Sequence, residues 1–421
     1  MSAVFTYAVR YDAEAVCLTP LRSGAGETED VLRDESGRMF LQGSSIAGAL
    51  RDWVTDTMGA KTAECLFGSR KCSGSLMVSD GVFDTDAVMT VRPRLRIDPA
   101  AGSAAHGGKF DIAHVSTGSR LRFTLIWLGS ASQAEQPELV EQILAALDQG
   151  MIRLGGQKSN GFGRVSLKVR KRGYDLTEKA DREDWMNDVF NRTFITLPEI
   201  KGSGLVTFEV RAHADQLLVK AGSSVQEEGE KAGSYAPHLT ENGKAVIPGS
   251  SIKGAVLSRV RSIAKLTGVP EATVDGAFGR VNRQGDNGLA GRFRFEDADY
   301  EAGKKQKITR IRIDRFTGGV IRGGMFREEP VTGDLVLHIS GPDDQQTACG
   351  LLLYALRDLG LGLYNLGSGG AIGRGYLKIS EITARRGADK LVLRFEKNGG
   401  CSLEDEAGMA EEWACRMGGN A

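Results

Sequence analysis

The stretch LQGSSIAGALRDWV at residues 41–54 returns as IPGSSIKGAVLSRV at 247–260, and LRIDPAAG at 95–102 returns as IRIDRFTG at 311–318. LGGQKSNGFGRV at 154–165 returns as LGSGGAIGRGYL at 366–377, so that Leu154, Gly155, Gly161 and Gly163 match Leu366, Gly367, Gly373 and Gly375. Phe67-Gly68 comes back as Phe278-Gly279, and Gly108 and Phe110 as Gly324 and Phe326. Blocks that recur in one order, at an offset held between 206 and 217 positions, mean one folding unit built twice. The duplication divides the chain into a first domain at 1–172, a charged linker at 173–203, a second domain at 204–386 and an acidic tail at 387–421.

Periodicity gives each copy a coarse fold. VFTYAVRY alternates as a strand, and SIAGALRDWVTDTM after Gly43-Ser44-Ser45 has helical spacing with a serine N-cap. LMVSDGVF and SRLRFTLIWL read as strands, QPELVEQILAALDQG as an amphipathic helix, and GRVSLKV as a closing strand. The order β, α, β, β, α, β predicts an α+β class: two tandem ferredoxin-like (RRM-like) domains, each an antiparallel sheet with helices on one face and the other face open to a ligand.

Composition narrows the function. Hydrophobic residues make up 41% and charged residues 26%, which fits a globular chain and not a disordered one. Lys plus Arg equals Asp plus Glu at 54 each, so any nucleic-acid surface is local and not a global basic field. The six cysteines form no CxxC pair and have no histidine placed to complete a zinc site; their scatter suits reduced thiols. No apolar run is long enough for a membrane span, and the start alternates like a strand, so a cytoplasmic location is expected.

Two motifs point to phosphate. The glycine loops join a helix to a strand, where glycine permits positive φ and lets a polyanion reach backbone N–H groups. A dinucleotide loop would need the reverse order, strand to helix. The Gly-Ser-Ser corners open helices, whose N-termini favour anions. Arg92, Arg94 and Arg96 share one face of a strand, and Arg310 and Arg312 repeat the last two. Ser44, Ser45, Arg51, Arg94, Arg96, Gly155, Lys158, Ser159, Asn160, Gly161 and Gly163 are the backbone-binding candidates of the first copy. Ser250, Ser251, Lys253, Arg310, Arg312, Gly367, Gly373 and Gly375 are those of the second.

The frame of a first strand, a Gly-Ser-Ser helix start, an RID strand end followed by Gly-x-Phe, and a C-terminal glycine loop resembles the RAMP superfamily of CRISPR proteins. It is most similar to the repeated backbone subunit of type III effector complexes, here two subunits fused as in the III-D branch. The resemblance implies binding of guide RNA (crRNA) and target RNA beside a large polymerase-like subunit, a small subunit and other RAMP subunits. It also implies a thumb after each RID strand, at 98–112 and 314–328, with His106, Lys109 and Phe110 in the first and Arg322, Met325 and Phe326 in the second.

Family members that cut target RNA carry an acidic residue a few positions before an Arg/Lys-Asp pair, here Arg33-Asp34. The resemblance therefore implies Asp30, with Glu29 and Glu27, as catalytic candidates, and Asp30 as a ligand for magnesium (Mg2+). The second copy has Gly233, Tyr235 and Ala236 at the equivalent places, so only the first would cut. A non-catalytic RNA-binding subunit is the alternative, and a metal-independent guide-processing endoribonuclease using histidine a further one; His106 and His114 are the histidines near a thumb. The tail holds seven acids against four bases, and SLEDEAGMAEEWACRM is expected to form a short helix docking through Leu403, Met409 and Trp413.

Overall fold

The alternating strand at the head of each repeat becomes the hub of a sheet. In the computed structural model, which describes residues 5–24, 30–97, 104–130, 135–190, 193–200, 204–226, 234–280, 288–396 and 399–417, Tyr7–Cys17 pairs antiparallel with Arg120–Gly129 on one edge and with Val165–Asp175 on the other. Its period of two sends Val9, Tyr11, Ala13, Ala15 and Cys17 into the core. The sheet runs Phe40–Leu41, Gly81–Phe83, Arg120–Gly129, Tyr7–Cys17, Val165–Asp175, Thr193–Ile195, with Leu76–Val78 also on Arg120–Gly129. Helices Gly43–Met58 and Glu135–Asp148 belong to the same repeat. The buried Trp127 indole donates to Gln136 at 2.9 Å and Tyr11 to the Pro137 carbonyl at 3.0 Å, which ties the sheet to the second of them.

The second repeat has the same order: Arg294–Phe295, Val331–Pro342, Leu205–Leu217, Leu377–Arg386, then Asp389–Phe395 and Cys401–Asp405. Helices Gly249–Thr267 and Gln346–Gly360 take the places of the first pair. The tail therefore differs from the expected single helix. Residues 401–405 form an edge strand with Leu403 exposed, and only Met409–Met417 is helical, burying Met409, Trp413 and Met417. Trp413 packs 5.8 Å from Phe208, and a side chain at Gly350 would collide with the Met417 sulfur, so the helix seats where residue 350 carries no Cβ.

The chain divides into two compact units: residues 1–91, 112–158 and 162–203 form one, and 92–111, 159–161 and 204–421 the other. The second unit thus includes the ribbon and the glycine-loop tip that belong by sequence to the first repeat. The open sheet faces are less free than expected. In the first unit Arg10 pairs with Asp12 and lies 4.9 Å from the Phe190 ring, and Arg170 lies 4.4 Å from Phe194, so the connecting segment lies against arginines of that face. In the second unit His213 pairs with Asp334 at 2.6 Å and Lys378 with Asp215 at 2.5 Å.

Candidate nucleic-acid interface

Each long helix begins at a glycine that is pressed against a strand. A Cβ on Gly249 would fall 1.9 Å from the Phe295 carbonyl oxygen, and one on Gly43 2.6 Å from that of Val78. The expected serine caps are not formed. Gln42 and Pro248 occupy the N-cap positions, and Ser44, Ser45, Ser250 and Ser251 sit in the first turn, the first two exposed and the others half-buried. The opening N–H is taken from a distance instead: Asp80 accepts from Gly43 at 2.6 Å and Asp297 from Gly249 at 2.7 Å. Sequence reading missed this pair, although the two aspartates stand 217 positions apart, within the span of the repeat offsets.

The glycine loops are clasps before they are cradles. Leu154 donates to the Gly163 carbonyl at 2.9 Å and Leu366 to that of Gly375 at 2.9 Å, and a Cβ at Gly163 or Gly375 would lie 2.0 or 1.9 Å from the leucine carbonyl oxygen. Gly155 and Gly367 are likewise closed over by the backbone of Arg22 and Leu218. At these four positions the chain's own backbone accounts for the absence of a Cβ. The tips remain: Lys158–Asn160 and Gly370–Ile372 are single 3-10 turns. Gly161 rests on the Phe295 carbonyl, whereas a Cβ on Gly373 would meet nothing within 4 Å.

The first loop's tip meets the second Gly-Ser-Ser corner rather than its own. Asn160 lies against Gly249, and the Lys253 ammonium donates to the Ser159 hydroxyl at 3.1 Å, all within the second unit. Burial pushes Lys253 down to about 8 from an ordinary 10.5, and the positive fields of Arg261 and Arg94 push it the same way. An anion beside the Lys253 ammonium would relieve that cost, while Arg261 is already paired with Asp275 at 3.2 Å. Arg51, in the first repeat's helix, is half-buried.

The three arginines of the first ribbon part company. Arg92 is buried, with its guanidinium between Glu241 and Asp297, the latter at 2.8 Å. Arg94 is half-buried beside Lys253, and Arg96 is exposed. In the second repeat Arg310 bonds to Glu328, which also holds Lys220 and Arg374; Arg312 is exposed. The thumbs are β-ribbons, Met89–Ile97 with Ala104–Val115 and Ile308–Ile313 with Val320–Glu329. His106, Phe110, Arg322, Met325 and Phe326 are exposed, while Lys109 donates to the Gly222 carbonyl at 3.0 Å. Phe316, which sequence reading passed over, is 99% exposed at the second ribbon's tip. Asp314 fixes that tip by accepting the Phe316 and Thr317 N–H groups at 2.9 and 2.8 Å; the D-x-x-T-G spacing is the turn signal that could have found it.

The acidic loop is partly in view. Glu27 and Glu29 lie outside the described residues, as does Gly233 in the second copy. Asp30 is exposed, with one oxygen accepting the Val31 N–H at 2.7 Å. Asp34 is folded into its own turn, accepting from Ser36 and Arg38, and its carboxyl is held below the usual range first by the Ser36 hydroxyl and then by Arg38. Among the described residues no three His, Cys, Asp or Glu side chains gather as a metal site, and two of the three expected acids, Glu27 and Glu29, lie outside those residues. In the second copy Tyr235 and Ala236 are built into the strand Ser234–Pro237. His114 is buried, 5.3 Å from the Phe162 ring, and is not placed to meet a substrate. No helix among the described residues is long and apolar enough to cross a membrane.

Comparison with known proteins gives two findings. The family model described as the RAMP superfamily matches residues 14–166 and again 217–378. A solved chain described as part of the cryo-EM structure of the Type III-B Cmr-beta bound to cognate target RNA is similar at 16% identity and a TM-score of 0.33. That likeness covers 39% of this chain and 61% of the other. No curated protein matches the chain.

Proposed function

The chain belongs to the RAMP superfamily, as two tandem units, and we propose that it is the fused backbone subunit of a type III CRISPR RNA-guided effector complex, binding guide RNA and the guide–target duplex. One observation carries the binding reading: the Lys253 ammonium meets Ser159 where the first glycine-loop tip lies against the second Gly-Ser-Ser corner, and a phosphate there would restore the charge that burial opposes. The shared strand order of the two sheets supports reading each repeat as a ferredoxin-like βαββαβ domain with a thumb inserted before its third strand. The exposed Arg96, Phe110, Arg312 and Phe316 supply cationic and aromatic groups on the two ribbons. The test is to purify the chain with its native partners and sequence the RNA it carries. Guide-length RNAs of one repeated sequence class are expected; bulk cellular RNA without a common segment would overturn the assignment.

Cutting of target RNA by the first repeat is a second reading, favoured by the asymmetry of the two loops. Asp30 is an exposed carboxylate outside any strand, whereas Tyr235 and Ala236 sit in a paired strand and carry no acid. A subunit that binds without cutting shares every other contact. Removing the Asp30 carboxylate separates the two.

A further inference from the structure

The open face of the first sheet carries an unbalanced charge. The pairing of Tyr7–Cys17 with Arg120–Gly129 and Val165–Asp175 sets Arg10, Arg120, Arg122, Lys168, Arg170 and Arg172 on that face, against Asp12 and Glu14 as its acids. The second sheet's open face balances itself: Glu209 pairs with Arg211 at 2.5 Å, His213 with Asp334 at 2.6 Å and Lys378 with Asp215 at 2.5 Å.

The linker supplies the missing acids to the first face without building a core. Its helix, Lys179–Met186, buries none of its residues. Arg172 pairs with Asp184, Arg10 with Asp188, and Trp185 lies 5.1 Å from Tyr174. The Phe190 and Phe194 rings lie 4.9 and 4.4 Å from the guanidinium groups of Arg10 and Arg170. The Arg170 Nε is buried with no hydrogen-bond partner among the described residues. Carboxylates set on guanidinium groups, with rings stacked beside them, reproduce the contacts that the phosphates and bases of a single strand make. A segment held by such surface pairs, with no buried anchor, belongs to the low-stability end of a fold. Phe194 pairs across from Arg170, and on the strands beside it Lys168, Arg120 and Arg122 are exposed, Arg122 being shared with Asp84. An incoming polyanion therefore meets cations before it has to move the linker.

We propose that the linker is a displaceable cover that imitates a nucleic-acid strand, and that the cationic face beneath it binds single-stranded RNA once the cover lifts. This face shares no residue with the Lys253 corner, and the inference rests on the RNA-binding reading only for the choice of RNA as the strand.

The test is hydrogen exchange on the full chain with and without saturating oligouridine, read at the amides of 181–190 and 193–195. Those amides should lose protection when the RNA binds. Asp184→Asn with Asp188→Asn should loosen the cover and raise affinity for the same RNA roughly tenfold, since less of the chain is held closed. Adding Arg170→Gln and Arg172→Gln should erase that gain. RNA bound with the linker's protection unchanged overturns the cover and leaves the function proposed above standing. Inorganic polyphosphate that lifts the cover as readily as RNA overturns the choice of a nucleic acid, because it has no bases to replace the two phenylalanine rings. RNA that binds the loosened variant and not the parent chain supports the cover and contradicts the Lys253 corner as the place that carries binding. Failure of RNA to bind either chain overturns both.

Discussion

The Lys253 ammonium donates to the Ser159 hydroxyl at 3.1 Å, joining a helix of the second repeat to the glycine-loop tip of the first. A phosphate reaching this place would meet an ammonium whose charge burial has made costly, and would restore it. RNA binding should therefore take up protons where free Lys253 has released its own, above about 8. Affinity should fall as pH rises from 8 toward 10, and Lys253→Arg should remove that dependence. Calorimetry in buffers of different ionisation enthalpy reads the proton uptake directly.

The same shift has a consequence for the free protein. The folded value, about 8, lies below the ordinary 10.5, so between them the unfolded chain holds more protons. Stability should thus rise with pH across that window, and in Lys253→Met this contribution should vanish. Urea midpoints taken every half unit of pH would show it.

The glycine clasps make a graded prediction. Gly163→Ala and Gly375→Ala place a Cβ about 2 Å from a backbone oxygen at positive φ and should cost on the order of 3 kcal/mol each. Gly373→Ala, also at positive φ but facing open space, should cost about 1 kcal/mol. Equal losses in urea unfolding would mean that the clasp is not what these glycines serve.

Removing Arg92 should be far more damaging than removing Arg310. Arg92→Met leaves Glu241 and Asp297 facing each other in a buried place, at a cost of ~3–5 kcal/mol. Arg310→Met leaves Glu328 with Lys220 and Arg374 and should cost ~1 kcal/mol or less. Burial acts to raise the Glu328 carboxyl, but hydrogen bonds from Lys220, Arg310 and Arg374 outweigh it and pull it to about 2. Its contribution to stability is present above the ordinary 4.5 and is lost only as pH falls toward 2.

If the first loop cuts, Asp30→Ala in the assembled complex should abolish one cleavage position and leave target binding within about a factor of three, under ~1 kcal/mol. Cleavage unchanged by the substitution would move the chemistry elsewhere, and loss of binding would make the loop structural.

The duplication was legible because side-chain identity at glycines and helix starts repeats along the chain, and the alternating strands then followed from their period. What one dimension hides is which copy a residue serves. Arg92, Ser159 and Asn160 read as parts of the first repeat, yet they pack within the unit built on the second. The glycines looked free for a ligand because nothing in sequence shows that Leu154 and Leu366 fold back over Gly163 and Gly375. Arg92 looked like a member of an exposed row; its burial depends on Glu241 and Asp297, far away in sequence. The tail's strand was missed because Leu403 sits among acids that read as a helical surface.

The salt dependence of RNA binding tests the central claim most directly. Fluorescence anisotropy of a labelled single-stranded RNA across a salt series gives the slope of log affinity against log salt. Arg96 and Arg312 are exposed on the two ribbons, so Arg96→Gln with Arg312→Gln should flatten that slope by roughly 1.4, about 0.7 for each phosphate released. A slope identical to that of the parent chain would contradict the account and place both arginines on a face that RNA does not touch.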